Sequence, residues 1–231
     1  QSFRTWGSLT PGHPEYGHTD GVEMTTGPLG QGVATAVGMA MAARYERGLL
    51  DPEAPANTSL FDHSIWVICS DGDLQEGVSA EASSLAGTQE LGNLNIIYDD
   101  NRISIEGDTH NAFTEDVAAR YRAYGWHVIE VAALATGNID LVALDAAMVA
   151  AKKESTKPTL IRMHSVIAWP APKAQGTAGS HGSALGVDEI KATKIALGLN
   201  PDEDFAMPAD VLAHARLVKD RGASVRAAWD A

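Results

Sequence analysis

Ser64-Ile65-Trp66-Val67-Ile68-Cys69-Ser70-Asp71-Gly72-Asp73 is a short apolar run that ends in two acids around a glycine. Leu94-Asn95-Ile96-Ile97-Tyr98-Asp99-Asp100-Asn101 has the same plan, an apolar run closed by acids and an amide. Both runs have strand length and are rich in β-branched and aromatic residues. Between them, residues 79–90, with Ala80, Leu85 and Ala86, read as a helix. The three segments make one βαβ unit, whose two strands are expected to be parallel and adjacent or nearly so.

The same alternation continues outward. Residues 115–124 read as helix, 126–131 as strand, 139–152 as helix and 159–163 as strand. Upstream, residues 1–27 are rich in Gly, Pro, His and Thr and read as loop. A helix is expected from Gly27 to Arg47, with Val33, Val37 and Met41 four apart beside a small-residue row of Ala34, Gly38 and Ala42. Small residues admit close neighbours, so this helix is expected to be buried. Gly48 and Asp51-Pro52-Glu53-Ala54-Pro55 are expected to stop it. The fold class expected is α/β, a doubly wound parallel sheet with helices on both faces. Residues 168–186 read as loop. Helices near 188–197 and 208–229 set off a second region, 188–231, from an α/β domain spanning 1–187.

Net charge is −13, from 17 Lys plus Arg against 30 acids. Nucleic acid is therefore not expected as a partner, because it requires a concentrated basic face. Cys69 is the single cysteine, which excludes an internal disulfide and favours a reducing, cytoplasmic setting. No apolar stretch approaches the roughly 20 residues that span a bilayer, so no membrane is expected. The chain begins with Gln1 rather than methionine and is expected to be a piece of a longer protein.

In open parallel sheets, ligands collect outside the carboxyl ends of the strands, where Asp71 and Asn101 fall. Magnesium takes hard oxygens, usually one or two carboxylates together with phosphate and water. Asp71 offers the charged ligand. Asn101 offers a neutral carbonyl, suited to a ligand that brings its own negative charge, and the backbone oxygen of Ile103 completes the set. Acidic turn residues at strand ends are also common. It is the pairing across one βαβ unit that points to a cofactor. Gly72 admits a diphosphate close to the backbone, which a side chain would block.

Other patterns fail. Asp73 and Glu76 lack the glycine and glutamate offsets of an EF-hand loop. Thr26-Gly27-Pro28-Leu29-Gly30-Gln31-Gly32 opens a helix and can hold an anion. It is nevertheless neither a Walker A loop nor a dinucleotide fingerprint, and by itself it reads as a tight turn. His13, His18 and Cys69 match no zinc spacing. His181, between glycines in Gly179-Ser180-His181-Gly182-Ser183, sits on a loop able to fold over a ligand; a surface histidine is the plainer reading. On its residues alone, the chain is an α/β domain that binds magnesium and a diphosphate, with histidines nearby.

Five blocks in order resemble the diphosphate-binding domain of transketolase, a thiamine diphosphate enzyme. They are Thr10–Glu15, Gly21–Gly32, Asp71–Gly77, Ser79–Gly87 and Tyr98–Asn101. The resemblance runs almost from end to end, and the helices after Asn200-Pro201-Asp202 resemble the family's connector to its next domain. It implies that Asp71, Asn101 and the Ile103 carbonyl hold Mg2+ or Ca2+ on the cofactor diphosphate. Gly72 is then expected to contact the diphosphate, Gly27, Pro28 and Leu29 to line the thiamine site, and Ile167 to pack near the cofactor. By the same resemblance His13 faces the donor's hydroxyls, His181 touches diphosphate and substrate, and Glu76 links two active sites across a dimer interface.

Two departures stand out. Ser70 replaces the glycine usual before Asp71. The position of Asp73 varies in the family, so Asp73 receives no role and its replacement by alanine is expected to be mild. The resemblance further implies sugar phosphate substrates, transfer of a two-carbon ketol unit, and a homodimer or a complementary subunit bearing a pyrimidine-binding domain. The chain alone is then expected to be inactive. Dihydroxyacetone synthase, deoxyxylulose-phosphate synthase and 2-oxo acid dehydrogenase subunits share the cofactor and are rival readings. Two further rivals are a non-catalytic binding module of a split enzyme and a nucleotide-binding protein.

Overall fold

A computed structural model describes residues 2–55 and 58–230. The chain divides into two compact units, the first ending at Leu185 and the second beginning at Gly186.

The first unit opens with a long segment lacking helix or strand, then α1 (Gln31–Leu50), β1 (Ile65–Ser70), α2 (Asp71–Gln75), α3 (Gly77–Thr88) and β2 (Leu94–Asp100). A two-residue hairpin follows, β3 (Ile103–Ser104) and β4 (Gly107–Asp108), then α4 (Val117–Ala123), β5 (His127–Val131), α5 (Leu141–Lys153) and β6 (Thr159–His164). The four long strands pair in the order β1-β2-β6-β5, all parallel. The expected βαβ unit is therefore present, with Ser70 opposite Asp99 at the carboxyl end.

Successive strand residues point to opposite faces, and this sheet carries a core on each. Val67 and Cys69 of β1, Leu94, Ile96 and Tyr98 of β2, and Leu160 of β6 meet α1, α3 and α4 through Val37, Ala86 and Tyr121. On the other face Ile97, Ile129, Val131 and Ile161 meet α5 through Ala147 and Ala151. Leu94, Ile96, Leu160 and Ile161 are fully buried, and each such side chain contributes about 1.5–3 kcal/mol over its exposed state. The handedness of parallel crossovers explains the layering. α3 and α4 make the forward steps along the sheet and share a face, whereas α5 makes the backward step from β5 to β6 and must lie on the other.

Two expectations need correction. Helix α1 begins at Gln31 and runs through Gly48 to Leu50, because Gly48 has no neighbour to make room for and a single exposed glycine does not end a helix. Nor is α1 buried all round: Val33, Ala36, Val37, Ala40 and Ala43 face the core, while Gly38, Met39, Met41 and Ala42 are exposed. β1 is the sheet edge, and among the described residues nothing covers Ile68, which is 78% exposed.

The second unit comprises α6 (Val187–Ala196) and α7 (Ala209–Asp230). Lys191 and Lys194 pair with Asp202 and Asp204 at 2.6 and 2.9 Å, tying the connecting segment to α6. Such exposed pairs contribute little. No residue of α7 is buried among those described. No helix of the described residues is long and apolar enough to cross a membrane.

Candidate cofactor and metal site

Two neighbouring parallel strands end side by side, with Ser70 level with Asp99. Asp71 follows β1 and Asn101 follows β2, both at the carboxyl end of the sheet. Asp71 is 2% exposed. Its Oδ1 accepts the Tyr98 hydroxyl at 2.6 Å, and its Oδ2 accepts the backbone N–H of Arg102 at 3.2 Å. Arg102 has φ +61°, a left-handed conformation that is costly for a residue with a side chain. That turn aims its N–H at Asp71 and folds the Asn101–Ile103 segment about the carboxylate. The Asn101 side chain is held at both ends: Oδ1 accepts the Ile103 N–H at 3.0 Å, and Nδ2 donates to Asp99 Oδ2 at 3.2 Å. The Arg102 N–H thus ties the Asn101–Ile103 turn to the Asp71 carboxylate.

Burial raises the Asp71 carboxyl above the usual carboxylate range, and the nearby Asp100 and Asp99 push the same way, against the Tyr98 and Arg102 hydrogen bonds. A divalent cation relieves that strain directly. Each donor atom here is a hard oxygen with a lone pair left over, as magnesium or calcium requires. Among the described residues no group of three or more His, Cys, Asp or Glu forms a ready-made cage. A cation on these oxygens therefore takes much of its coordination from the ligand it holds, which suits a diphosphate.

The glycine-rich turn packs against this strand tip. Gly27 has φ +142°, and a Cβ there would meet the His13 ring at 2.9 Å, so His13 lies on the turn. A Cβ on Gly72 would meet Leu29 Cδ1 at 3.1 Å. Gly30, at φ +77°, leaves no room for a side chain: a Cβ would sit 2.8 Å from both Glu76 Cβ and Ser79 Oγ. His13, Gly27, Leu29, Gly72 and Glu76 therefore form one neighbourhood, with Pro28, Leu29, His13 and Glu76 exposed along it.

Asp73, to which the sequence reading gives no role, bonds to both the glycine-rich turn and the strand tip. Its Oδ1 accepts the Gly30 N–H at 2.9 Å and its Oδ2 the Ser70 N–H at 2.9 Å. The signal was present, since Ser70-Asp71-Gly72-Asp73 has the spacing of a helix capping box; the hydrogen bond to Gly30, 43 residues away, had none.

Ile167 is half-buried and lines a cavity of about 370 Å3 with Asn101, Asp99, Ile68, Met163 and Trp169. It thus stands beside the Asn101 turn. His181 is exposed after the 3-10 turn Ala178–Ser180, and among the described residues its side chain makes no hydrogen bond to the strand-tip group. Asp71 does not line the Ile167 cavity; with Tyr98 it lines a polar one of about 330 Å3, bounded also by Asp100, Arg102, Glu115 and Arg162. There Asp100 is already paired, its Oδ2 lying 2.7 Å from Arg162 Nε and 3.0 Å from His164 Nδ1.

Comparison with known proteins identifies the family. Residues 1–231 match the family model for the transketolase thiamine diphosphate binding domain. The chain is 56% identical to the transketolase of Mycobacterium leprae over 229 residues, covering 99% of this chain and 32% of that protein. Against the Bacillus subtilis transketolase it is 46% identical, covering 100% of this chain and 34% of the other. A crystal structure of Pichia stipitis transketolase in complex with sedoheptulose 7-phosphate superposes with TM-score 0.89 at 46% identity, over 99% of this chain and 33% of that one. The Campylobacter jejuni transketolase structure gives TM-score 0.90 at 43% identity. The chain thus spans about a third of the length of the relatives it matches.

Proposed function

This chain belongs to the transketolase family as its thiamine diphosphate-binding domain, and from that premise we propose that the complete protein moves a two-carbon ketol unit from a ketose phosphate to an aldose phosphate. The observation that carries the reading is the buried Asp71 carboxylate seated on the Asn101–Ile103 turn at the mouth of two parallel strands. When bound, thiamine diphosphate supplies the carbon nucleophile and electron sink that cleavage of a ketose requires.

The chain's own residues bind and orient. Asp71, Asn101 and the Ile103 carbonyl would hold Mg2+ or Ca2+ against the diphosphate, and Gly72 leaves the backbone open to it. Gly27, Pro28 and Leu29 would line the thiamine, and Ile167 would supply an apolar wall that keeps water from it. His13, resting on Gly27, would meet the donor's hydroxyls, while His181 would reach diphosphate and substrate from its loop. Glu76, exposed beside Gly30, would face a second subunit, which makes the active assembly a homodimer or a pair with a complementary pyrimidine-binding subunit. Residues 188–231 would serve as the connector toward that domain, and the setting is cytoplasmic. Sugar phosphates fit as substrates, since a related Pichia stipitis enzyme is described with sedoheptulose 7-phosphate bound.

A transfer assay on the complete gene product, given a ketose phosphate donor and an aldose phosphate acceptor, tests the reading. The expected result is an acceptor lengthened by two carbons only when thiamine diphosphate and Mg2+ are both supplied. Transfer without the cofactor, or none with it, contradicts the proposal. The chain spans a third of its relatives, which supports a second reading in which residues 1–231 alone are a binding module; for them the assay should give no transfer.

A further inference from the structure

Asp73 carried no role in the sequence reading, yet among the described residues it is the one hydrogen-bonding bridge between the glycine-rich turn and the end of β1. Among the described residues, no other hydrogen bond joins residues 26–32 to residues 70–79. One Asp73 oxygen takes the N–H of Gly30, at the end of the glycine-rich turn. The other takes the N–H of Ser70 at 2.9 Å and its hydroxyl at 3.3 Å, at the end of β1. The Asp73 carbonyl accepts the Ser79 hydroxyl at 2.6 Å, which fixes the backbone that carries the carboxylate.

From this geometry we propose that Asp73 is a positioning residue that locks the Gly27–Gly30 turn to the strand tip bearing Asp71, and so sets the gap between the thiamine-lining and diphosphate-holding surfaces. This deepens, and rests on, the cofactor reading above. The two acids of Asp71-Gly72-Asp73 divide the labour. Asp71 bonds to Tyr98 and to the Arg102 turn, whereas Asp73 spends both oxygens on amides of the chain. With its charge taken up by N–H donors, Asp73 can stand two residues from a diphosphate ligand without competing for the cation.

The junction is otherwise held by steric fit alone. Gly30 is buried and fits only because it lacks a Cβ that would strike Glu76 and Ser79. Without Asp73 the buried Gly30 N–H loses its acceptor, an unsatisfied donor that the turn can relieve only by moving away from the strand tip. A residue that merely capped the five-residue helix α2 would change stability and leave ligand affinity alone.

The test is a calorimetric titration of thiamine diphosphate at saturating Mg2+ into the complete gene product, at a temperature where every variant is folded. It is paired with hydrogen exchange at the Gly30 amide. Asp73→Ala is expected to weaken binding about tenfold and to lose protection at Gly30. Asp73→Asn keeps one carbonyl acceptor, so its losses should be smaller; if Asp73→Ala does not fold, Asp73→Asn carries the test alone. Affinity within twofold of wild type, or weaker binding with Gly30 protection intact, overturns the clamp. Asp71→Ala separates the two claims. If wild type does not bind the cofactor, or Asp71→Ala binds it as tightly, the site reading fails and the clamp with it. If Asp71→Ala loses binding and Asp73→Ala does not, only the clamp fails.

Discussion

Asp71→Ala is expected to remove metal-dependent binding of thiamine diphosphate while leaving the fold in place. Loss of an outer partner of a metal ligand typically weakens metal binding about 10–100-fold, and loss of the only charged ligand proposed here should exceed that range. The fold should survive because Asp71 is not a stabilising charge without metal. Its carboxyl is raised from its ordinary value of 3.8 by burial, Asp100 and Asp99, so the folded state holds the proton to higher pH than the unfolded chain does. The contribution of Asp71 to stability therefore declines as pH rises from the ordinary carboxylate range through the raised value, and levels off above it. Metal binding has the opposite dependence, since a cation must displace the proton, and affinity should fall as pH falls through the same interval. Calorimetry across pH, with thermal melts of the metal-free protein, checks both signs. Equal affinity in wild type and Asp71→Ala would contradict the assignment.

A large effect on stability is expected at Gly87, in α3. A Cβ there would lie 1.9 Å from the Tyr124 carbonyl oxygen and 2.9 Å from its carbon, both backbone atoms with no side-chain freedom to yield. That contact lies within a tightly fitted set. Trp126 Nε1 donates to the Ser83 carbonyl at 2.8 Å, Ser83 and Tyr121 hydroxyls lie 3.0 Å apart, and the Tyr121 and Trp126 rings meet edge to face. Gly87→Ala must push α3 off the connection between α4 and β5, costing about 3 kcal/mol or more. For a chain of this size that lowers the melting temperature by roughly 10 °C. Gly38 provides the contrast. It sits exposed in α1 with nothing within 4 Å of a Cβ, and alanine there should stabilise by about 0.5–1 kcal/mol. Thermal unfolding of the two variants reads both, and an unshifted melt for Gly87→Ala would refute the packing described for α3.

The strands and the α/β class were legible in the sequence because a parallel strand buried in a sheet is a short, nearly continuous apolar run, and residues 94–98 and 159–163 are of that kind. The end of β1 was legible too, since it stops at Ser70 where Asp71 begins, whereas β2 runs past its apolar residues through Asp99 and Asp100, which pair with β6. Strand order was not. Nothing in the spacing of residues 127–131 and 159–164 says that β6 inserts between β2 and β5; crossover handedness decides only which face each helix then takes. The exposed side of α1 was misread because alanine and glycine rows are as common on solvent faces as in close contacts. In the candidate site, Asp71, Gly72 and Asn101 were singled out by their chemistry at a strand end, and the structure puts them at the carboxyl end of the sheet. Tyr98 read only as a core aromatic, and its hydroxyl contact with Asp71 depends on the strand register. The hairpin at Ile103–Asp108 and the left-handed Arg102 have no periodicity to betray them. His181 remains an inference from resemblance, since the structure holds it on an exposed loop.

The most direct test of the central claim is the position of the metal. Crystals of the complete protein grown with thiamine diphosphate and Mn2+ in place of Mg2+ should show one strong anomalous peak within bonding distance of the Asp71 carboxylate, the Asn101 side-chain oxygen and the Ile103 carbonyl, with diphosphate oxygens on its far side. A manganese peak out of bonding reach of Asp71 and Asn101, or a diphosphate bound away from Gly72, would contradict it.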